Sequence, residues 1–190
     1  MATVTIFGTG NMGTAIGDVD TAGGATVQHV RSADDATIAG DIVVLAVPYS
    51  SLAPIAAKYA SQFEGKIVVD ITNPLNFETF DSLTVPVGSS AATEIQTKLP
   101  ESKVLKAFNT TFAATLASKQ VGGLPTTVLI AGDDADAKSA LADAITAGGV
   151  SAVDAGTLSR AHELEALGFL QLTLAASEKI SWTAGFALTK

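Results

Sequence analysis

Residues 3–13 read TVTIFGTGNMG, a short β-branched apolar run followed at once by glycines spaced as G-x-G-x-x-G. The next four residues, TAIG, are typical of the start of a helix. A strand, a glycine-rich turn and a helix in this order form the pyrophosphate site of dinucleotide-binding folds. The sequence therefore predicts a dinucleotide site at this turn, with an ordinary strand-to-helix turn as the alternative.

The residues of this turn have separate predicted roles. Gly8 permits the tight turn, and Gly10 lets the backbone approach phosphate oxygens with no Cβ atom in between. Gly13 lets the helix pack closely on the strand. The first N–H groups of the helix and its dipole favour an anion. The candidate cofactor-binding residues of the turn are Gly8, Thr9, Gly10, Asn11, Met12 and Gly13.

The composition limits the class of protein. A length of 190 residues is enough for one compact domain with a sizeable core. The net charge of −8, with only 11 Lys and Arg, disfavours nucleic acid and anionic membranes as partners. The lack of cysteine excludes disulfides and thiolate catalysis. With no leader-like start and no apolar run of about 18 residues, we expect a cytoplasmic protein without a membrane partner.

Strand and helix patterns alternate along the chain. Strands are predicted at residues 3–7, 25–30, 41–47, 66–71, 103–108, 126–131 and 150–155, and helices at residues 11–22, 50–61, 91–99, 112–118, 133–147 and 156–179. This alternation predicts an α/β Rossmann fold, a doubly wound and mostly parallel sheet. We expect a dinucleotide-binding domain over residues 1–155 and a short helical segment over residues 156–190, packed together as one unit. The last helix is apolar on more than one side, so it suits either the core or a homodimer contact.

The end of the second strand indicates which dinucleotide binds. NAD-binding proteins place a carboxylate there, whereas this strand ends in Arg31 and Ser32. A guanidinium can hold a 2′-phosphate through two hydrogen bonds, and a serine hydroxyl adds a donor. The pair therefore favours NADP(H), although Asp34 and Asp35 follow closely and would oppose a phosphate that they faced.

Other candidate ligand contacts follow the strands, because ligands of open α/β sheets bind beyond the carboxyl ends of the strands. Ala46, Val47 and Pro48 would form a flat wall after the third strand. Asn73, after the fourth strand, would hydrogen-bond a carboxamide or a ribose hydroxyl. Residues 107–111 and 131–133 are expected at the same edge. For each segment alone, an ordinary turn is an equally good explanation.

Acid–base candidates are scarce. His29 lies within a predicted strand, where a structural role is expected, and His162 is expected on a solvated helix surface. No His, Asp and Glu spacing suggests a metal site. Reduction of a carbonyl needs a proton donor, whereas hydride transfer between nicotinamide and a flavin-like ring depends mainly on stacking and distance. The sequence therefore favours a ring acceptor, and it leaves the catalytic residues unassigned.

Five segments together resemble a known family. They are IFGTGNMG (6–13), VLAVP (44–48), VDITNP (69–74), VLKAFNT (104–110) and DAGTL (154–158). In this order they are similar to the coenzyme F420-dependent NADP oxidoreductases, and the reductase domain of the STEAP metalloreductases looks similar too. The resemblance covers nearly the whole chain.

This resemblance implies NADP(H) as cofactor, F420 or a flavin as co-substrate, and a homodimer. It implies that Arg31 and Ser32 hold the 2′-phosphate and that Val47 and Pro48 form the wall. The remaining implied contacts are Asn73 and Pro74 in the loop that faces the bound rings, and Thr111 and Ala113 in the nicotinamide pocket. The Arg-Ser order is the reverse of the family's, and the stretch from Arg31 to Asp41 is short for the usual helix and strand.

The expected activity is hydride transfer between NADP(H) and a flavin, a deazaflavin such as F420, or a quinone-like ring. Two other functions stay open. One is a non-catalytic module that binds or senses NADP, which would explain the missing acid–base residues equally well. The other is a reductase of small imines or carbonyls, a class that shares the glycine turn but usually carries a longer helical C-terminal domain.

Overall fold

A computed structural model describes residues 3–31 and 34–189 of the chain. Its centre is a sheet of seven strands in the order β2-β1-β3-β4-β5-β8-β9. The strands are β1 (Thr3–Phe7), β2 (Thr26–Val30), β3 (Ile42–Leu45), β4 (Ile67–Asp70), β5 (Lys103–Lys106), β8 (Thr127–Gly132) and β9 (Ser151–Gly156), and β6 (Gln120–Val121) with β7 (Leu124–Pro125) forms a separate hairpin. The helices are α1 (Asn11–Ala22), α2 (Leu52–Phe63), α3 (Ala91–Lys98), α4 (Ala113–Ser118), α5 (Ala135–Ala147) and α6 (Ala161–Ala176).

Apolar side chains fill both faces of the sheet. On one face, Ile16 of α1, Leu116 of α4 and Leu141 of α5 pack on the strands. On the other face, one side of α2 is buried in the core through Leu52, Ile55, Ala56 and Tyr59. Strands buried on both sides are typical of a doubly wound sheet, so the predicted fold class is confirmed.

The direction in which the strands are added reverses beside β1. Strand β1 pairs in parallel with β2 on one side and with β3 on the other, and β4 and β5 continue in parallel from β3. The carboxyl ends of β1 and β3 therefore flank a switch point, where loops leave the sheet on opposite faces. A crevice at such a point is the usual ligand site of open α/β sheets.

Strand β8 corrects one prediction. It pairs with β5 in the antiparallel direction, with Leu105 opposite Gly132. The short α4 and the β6–β7 hairpin return the chain to the sheet from the carboxyl end of β5. The end of β8 therefore points away from the ligand edge, and Asp134 reaches Lys103 at the start of β5, with 3.1 Å between the charged atoms. Residues 131–133 were wrongly expected at the ligand edge.

The C-terminal helix is shorter than predicted. Gly156 ends β9 with φ at +110°, a conformation that breaks any regular element. A 3₁₀ turn over Leu158–Arg160 follows, with the N–H of Leu158 donating to Asp133 Oδ1, and α6 begins at Ala161. The expected helix over residues 156–179 was therefore right in kind and wrong at both ends.

The link between β2 and β3 contains no helix in its described part, residues 34–41. Side chains of neighbouring elements hold it instead. The carbonyl of Asp34 accepts from the hydroxyl of Tyr59 at 2.6 Å, and the N–H of Ile38 donates to Gln62 Oε1 at 2.9 Å. The short connection noticed in the sequence is thus an ordered loop clamped on α2.

Candidate active site

The glycine turn is compressed between the ends of β2 and β3. Gly8 has φ at +108°, and a Cβ atom there would lie 2.1 Å from the carbonyl oxygen of Ala46. A Cβ atom on Gly13 would lie 2.5 Å from the carbonyl oxygen of Gly8. The backbone is locked on both sides, because the N–H of Gly8 donates to Val30 and the N–H of Ala46 donates to Phe7. The predicted reasons for glycine at positions 8 and 13 are confirmed.

Gly10 faces open space, unlike its two neighbours in the motif. A Cβ atom added there would meet no heavy atom within 4 Å. Gly10 caps α1 in an extended conformation without a side-chain cap, and the first turn of α1 has no acidic residue. The first N–H groups of a helix have no partner within the helix. The space beyond Gly10 is therefore suited to an anion that accepts from these groups.

Arg31 lies at the carboxyl end of β2, beside the glycine turn. Its side chain is exposed, and its backbone N–H donates to Asp34 Oδ2 at 2.9 Å. Lys58 reaches the carbonyl of Asp34 at 2.9 Å and forms an ion pair with Asp35 at 2.6 Å. A cationic side chain and a carboxylate thus lie at the same strand end. Ser32 lies outside the described residues.

The segment after β3 lies against the glycine turn. Ala46 packs under Gly8 and Gly13, and Pro48 is exposed at the start of a 3₁₀ turn. Next to it, the hydroxyl of Tyr49 donates to Glu94 Oε2 at 2.6 Å. Burial, followed by the effect of the Glu94 carboxylate, raises the pKa of Tyr49 to about 12. This tyrosine therefore keeps its proton at neutral pH and was not singled out from the sequence.

A cavity of about 370 Å³ opens next to the glycine turn at the same edge of the sheet. Five predicted site residues line it: Asn11, Met12, Asn73, Thr111 and Ala113. The lining also includes Phe108 and Asn109, from the segment 107–111 that was expected at this edge. The lining residues that the sequence did not single out are Ile71, Phe112, Ala114, Leu172 and Trp182. None of these described residues carries a charge at neutral pH. The cavity is therefore apolar with a few amide and hydroxyl groups, as binding sites for flat organic ligands often are.

Asn73 has a structural task beside the cavity. Its side chain donates to the carbonyl of Asn109 at 2.8 Å and accepts from Asn109 Nδ2 at 2.9 Å. Asn109 also donates to the carbonyl of Leu164 in α6 at 2.7 Å. Gly168 permits this packing, because a Cβ atom there would lie 2.2 Å from Asn73 Oδ1. Asn73 thus joins two loops and α6, in contrast to the expected role of its amide as a free ligand contact.

The other predicted loop residues also serve the backbone. The buried Pro74 is absent from the described cavity lining, and its carbonyl accepts from Thr84 Oγ1 at 2.8 Å. Thr111 donates its hydroxyl to the carbonyl of Phe108 at 2.7 Å. Phe108 itself has φ at +62°, a strained value for a residue with a side chain. The strained turn places Phe108 and Thr111 together on the cavity wall.

A buried ion cluster lies between the sheet and α6. Lys106 Nζ contacts Asp70 Oδ2 at 2.8 Å and Glu165 Oε1 at 2.7 Å, and all three side chains are fully buried. Lys106 also donates to the carbonyl of Thr72, and Glu165 accepts from the N–H of Ala91 at 2.9 Å. Burial raises the pKa of Glu165, against the opposing effect of Lys106. The sequence held a signal for this cluster, since charged residues end the apolar runs of β4 and β5.

The remaining ionisable groups lie apart from the cavity. His29 is exposed beside α1, where a Cβ atom on Gly17 would lie 3.0 Å from its Nε2, and its Nδ1 lies 3.4 Å from the carbonyl oxygen of Gly8. The prediction for His162 is wrong, because it is half-buried with Nδ1 3.1 Å from the carbonyl of Ser89. Asp20 of α1 is 3% exposed, and burial raises its pKa to about 7.

Comparison with known proteins agrees with this geometry. Residues 18–74 match the model of a family described as NADP oxidoreductase, coenzyme F420-dependent. The F420-dependent NADP reductase of Methanocaldococcus jannaschii is 34% identical over 137 residues, which cover 70% of this chain and 61% of that protein. The chain is similar in sequence to the F420-dependent NADP oxidoreductases. The family resemblance predicted from the sequence is confirmed.

Two further proteins extend the comparison. Metalloreductase STEAP3 of Rattus norvegicus is 31% identical over 145 residues, which cover 75% of this chain and 28% of STEAP3. The crystal structure of a candidate F420-dependent NADP reductase from Arthrobacter sp. FB24 superimposes with a TM-score of 0.85, at 24% identity and over 100% of both chains. It shares the fold. The chain spans less than two thirds of either curated relative, 61% and 28% of their lengths.

Residues 3–31 and 34–189 contain neither a membrane-spanning helix nor a cluster of metal ligands. No helix there has the length and hydropathy that crossing a bilayer requires. No group of three or more His, Asp or Glu side chains there is arranged to hold a metal ion.

Proposed function

We propose that this chain is an NADP(H)-dependent oxidoreductase that exchanges a hydride with a flat ring of the flavin, deazaflavin (F420-like) or quinone type. The observation that carries the proposal is the uncharged cavity, which begins where the glycine turn ends. Asn11 and Met12 belong to both features, so one ligand can touch the turn and the cavity together. The names of the relatives support the same class of reaction.

The fit of a dinucleotide rests on the shape of the glycine turn. The open face of Gly10 and the first N–H groups of α1 would bind the pyrophosphate. Arg31, next to the turn, would bind the 2′-phosphate, while Asn11 and Met12 would face the nicotinamide. Val47 and Pro48 would cover the adenosine side.

The described lining offers no side chain that could act as a general acid. Its groups can orient and enclose two rings: Phe108 and Phe112 give flat apolar walls, and Asn11 gives a hydrogen-bonding amide. When bound, NADPH supplies the hydride, and a solvent proton completes the two-electron reduction of the acceptor ring. The chain would accelerate this reaction by holding the rings at the right distance and by excluding water.

Turnover is the direct test. NADPH oxidation is followed with F420, riboflavin, FMN and a naphthoquinone as acceptors, and NADPH binding is measured separately by calorimetry. We expect micromolar binding of NADPH and turnover with at least one ring. Binding without turnover on any ring would contradict the enzyme and favour the sensing module. A cyclic imine is tested in the same assay. Reduction of this imine, with none of the four ring acceptors reduced, would instead favour the imine reductase alternative.

We also propose that the chain is a cytoplasmic homodimer in which residues 156–190 pack on residues 1–155 as one unit. The Lys106–Glu165 ion pair joins the two parts. Leu170 on α6 is 50% exposed, and an exposed leucine on an apolar helix supports a subunit contact. Sedimentation velocity is expected to give a dimer, and Leu170→Glu a monomer. A monomeric wild-type chain would contradict the proposal.

A further inference from the structure

Trp182 stands at the cavity with much of its ring free. It lines the cavity wall, yet it is 52% exposed. The indole packs against Phe112, with the two ring centroids 5.1 Å apart and the ring planes tilted by 52°. Phe112 is 8% exposed and therefore acts as the fixed partner. A large aromatic surface left open beside an apolar cavity has area available for a ligand.

The segment that carries Trp182 is fastened to α6. Gln171 of α6 is 1% exposed, and its Oε1 accepts from the N–H of Phe186 at 3.1 Å. The turn before it is closed by the N–H of Thr183, which donates to Ser181 Oγ at 3.1 Å. These bonds hold the backbone of the segment that carries Trp182 beside α6.

We propose that Trp182 stacks on the acceptor ring, and that this ring is a neutral flat aromatic system recognised by its faces. The inference rests on the proposed function. Indole is a large, flat side chain that pairs well with other rings, and such pairs gain affinity beyond the area they bury. Asn11 offers an exposed amide to a ring carbonyl or N–H group, and the buried Oδ1 of Asn109 has no hydrogen-bond partner among the described residues and could accept from a ring N–H.

The charge of the lining selects among acceptors. A small substrate with a carboxylate would need a cation at its binding site, because an ion that leaves water without a partner is strongly disfavoured. No described residue of the lining supplies one. The pocket therefore binds the ring portion of an acceptor, and any charged side chain of that acceptor stays outside in water.

Riboflavin is a suitable probe because its ring is neutral and its own fluorescence reports stacking. Its Kd is measured with and without NADP⁺ for the wild-type chain, Trp182→Phe and Trp182→Ala. We expect quenching of the flavin emission on binding, a Kd about tenfold higher in Trp182→Ala, and a smaller change in Trp182→Phe. The matched control is Phe186→Ala, because Phe186 is 45% exposed on the same segment and is not part of the described lining.

The outcomes separate this inference from the proposed function. An unchanged Kd in Trp182→Ala, or an equal rise in Phe186→Ala, would overturn the stacking role even if the chain oxidises NADPH. A wild-type chain that binds no riboflavin would overturn it as well. Binding that depends on Trp182 but is never followed by NADPH oxidation would support this inference and contradict the proposed function alone. FMN is expected to bind within threefold of riboflavin, and much tighter binding of FMN would contradict a neutral-ring pocket.

Discussion

At the scale of single residues, Arg31 is the side chain on which nucleotide preference depends. Its side chain is exposed at the end of β2, where the carbonyl of Val30 accepts from the N–H of Gly8 in the glycine turn. A hydrogen bond to a charged group contributes about 1.5–3 kcal/mol. Arg31→Ala is therefore expected to raise the Kd of NADPH by about 10- to 100-fold in calorimetry and to leave the Kd of NADH nearly unchanged.

Arg160 provides the control for this experiment. It is the other arginine of the chain and pairs with Glu163 at 2.8 Å on α6. Arg160→Ala should change neither dissociation constant. Asp34→Asn keeps an acceptor for the N–H of Arg31 and removes the nearby negative charge, so it should lower the Kd of NADPH a few-fold. An equal loss of affinity for NADPH and NADH in Arg31→Ala would show that Arg31 does not bind the 2′-phosphate.

Asp20 connects stability to pH. Its pKa of about 7 in the fold lies above its value in the unfolded chain, so the fold binds the proton more tightly. This protonation stabilises the fold at low pH, and the stability is lost as the pH rises towards 7. Asp20→Asn should therefore increase the free energy of unfolding by about 2–4 kcal/mol at pH 8, and by about 2–3 kcal/mol less at pH 5.

Urea denaturation at the two pH values measures this difference. Asp18→Asn is the matched control, because Asp18 lies on the same helix but is exposed. It should leave the free energy of unfolding nearly unchanged at both pH values. A gain in Asp20→Asn that is the same at pH 5 and pH 8 would mean that the carboxyl is not protonated in this range.

Several site residues were readable from the sequence for a physical reason. Gly8 and Gly13 belong to a glycine spacing that only close backbone contact explains. Met12 was predicted as a site residue because it lies between these glycines in the same turn. Trp182 and Phe112 were not predicted, because they meet from segments that are distant in the chain. Asn73 was placed correctly and given the wrong partner, since a turn asparagine shows no preference between ligand and protein until the fold is known.

At the scale of elements, the strand-to-helix turn allows a test that separates binding from folding. Gly10→Ala adds a methyl group in open space, so the free energy of unfolding should change by less than about 1 kcal/mol. Both NADPH and NADH should bind at least tenfold more weakly, because the methyl group stands where the phosphates approach. Gly13→Ala is the contrasting variant, since its methyl group would lie 2.5 Å from the carbonyl of Gly8.

Thermal unfolding measures the stability of the two variants, and calorimetry measures their affinity for NADPH and NADH. Gly13→Ala should lower the melting temperature strongly, as α1 must move away from the turn. Gly10→Ala should fold normally and lose nucleotide binding. Normal NADPH binding by a stable Gly10→Ala variant would show that the turn is only a strand connection.

The elements themselves were largely predictable, whereas their directions were not. Hydrophobic runs identified the strands, including β8, because burial requires apolar side chains in either direction. The hydrophobic periodicity and the composition of a strand do not depend on its direction. The sequence therefore could not show that β8 pairs with β5 in the antiparallel direction. The β6–β7 hairpin was missed for another reason: strands of two residues are too short for an alternating pattern.

At the scale of the whole molecule, the buried ion cluster connects the sheet with the C-terminal part. Lys106 forms ion pairs with two fully buried carboxyl groups. Removing one partner of a buried ion pair costs about 3–5 kcal/mol, because the remaining charge is left alone. Lys106→Met should therefore lower the free energy of unfolding by that amount and speed amide hydrogen exchange in α6.

Lys58→Met serves as the comparison, since Lys58 pairs with Asp35 on the exposed surface. A surface pair contributes little, so this variant should unfold almost as the wild type does. Faster exchange throughout the chain in Lys106→Met, with no excess in α6, would mean that the cluster is not the specific link to the C-terminal helix. The division into residues 1–155 and 156–190 stays a prediction that this comparison addresses.

The position of Trp182 has a practical consequence, because the chain contains a single tryptophan. Its near-ultraviolet emission comes from one location, at the rim of the pocket, and needs no chemical label. A change in the emission wavelength or in the anisotropy of this tryptophan on adding a ligand thus reports on that rim alone. Stopped-flow spectroscopy on the unmodified chain can follow the arrival and departure of each reactant in real time.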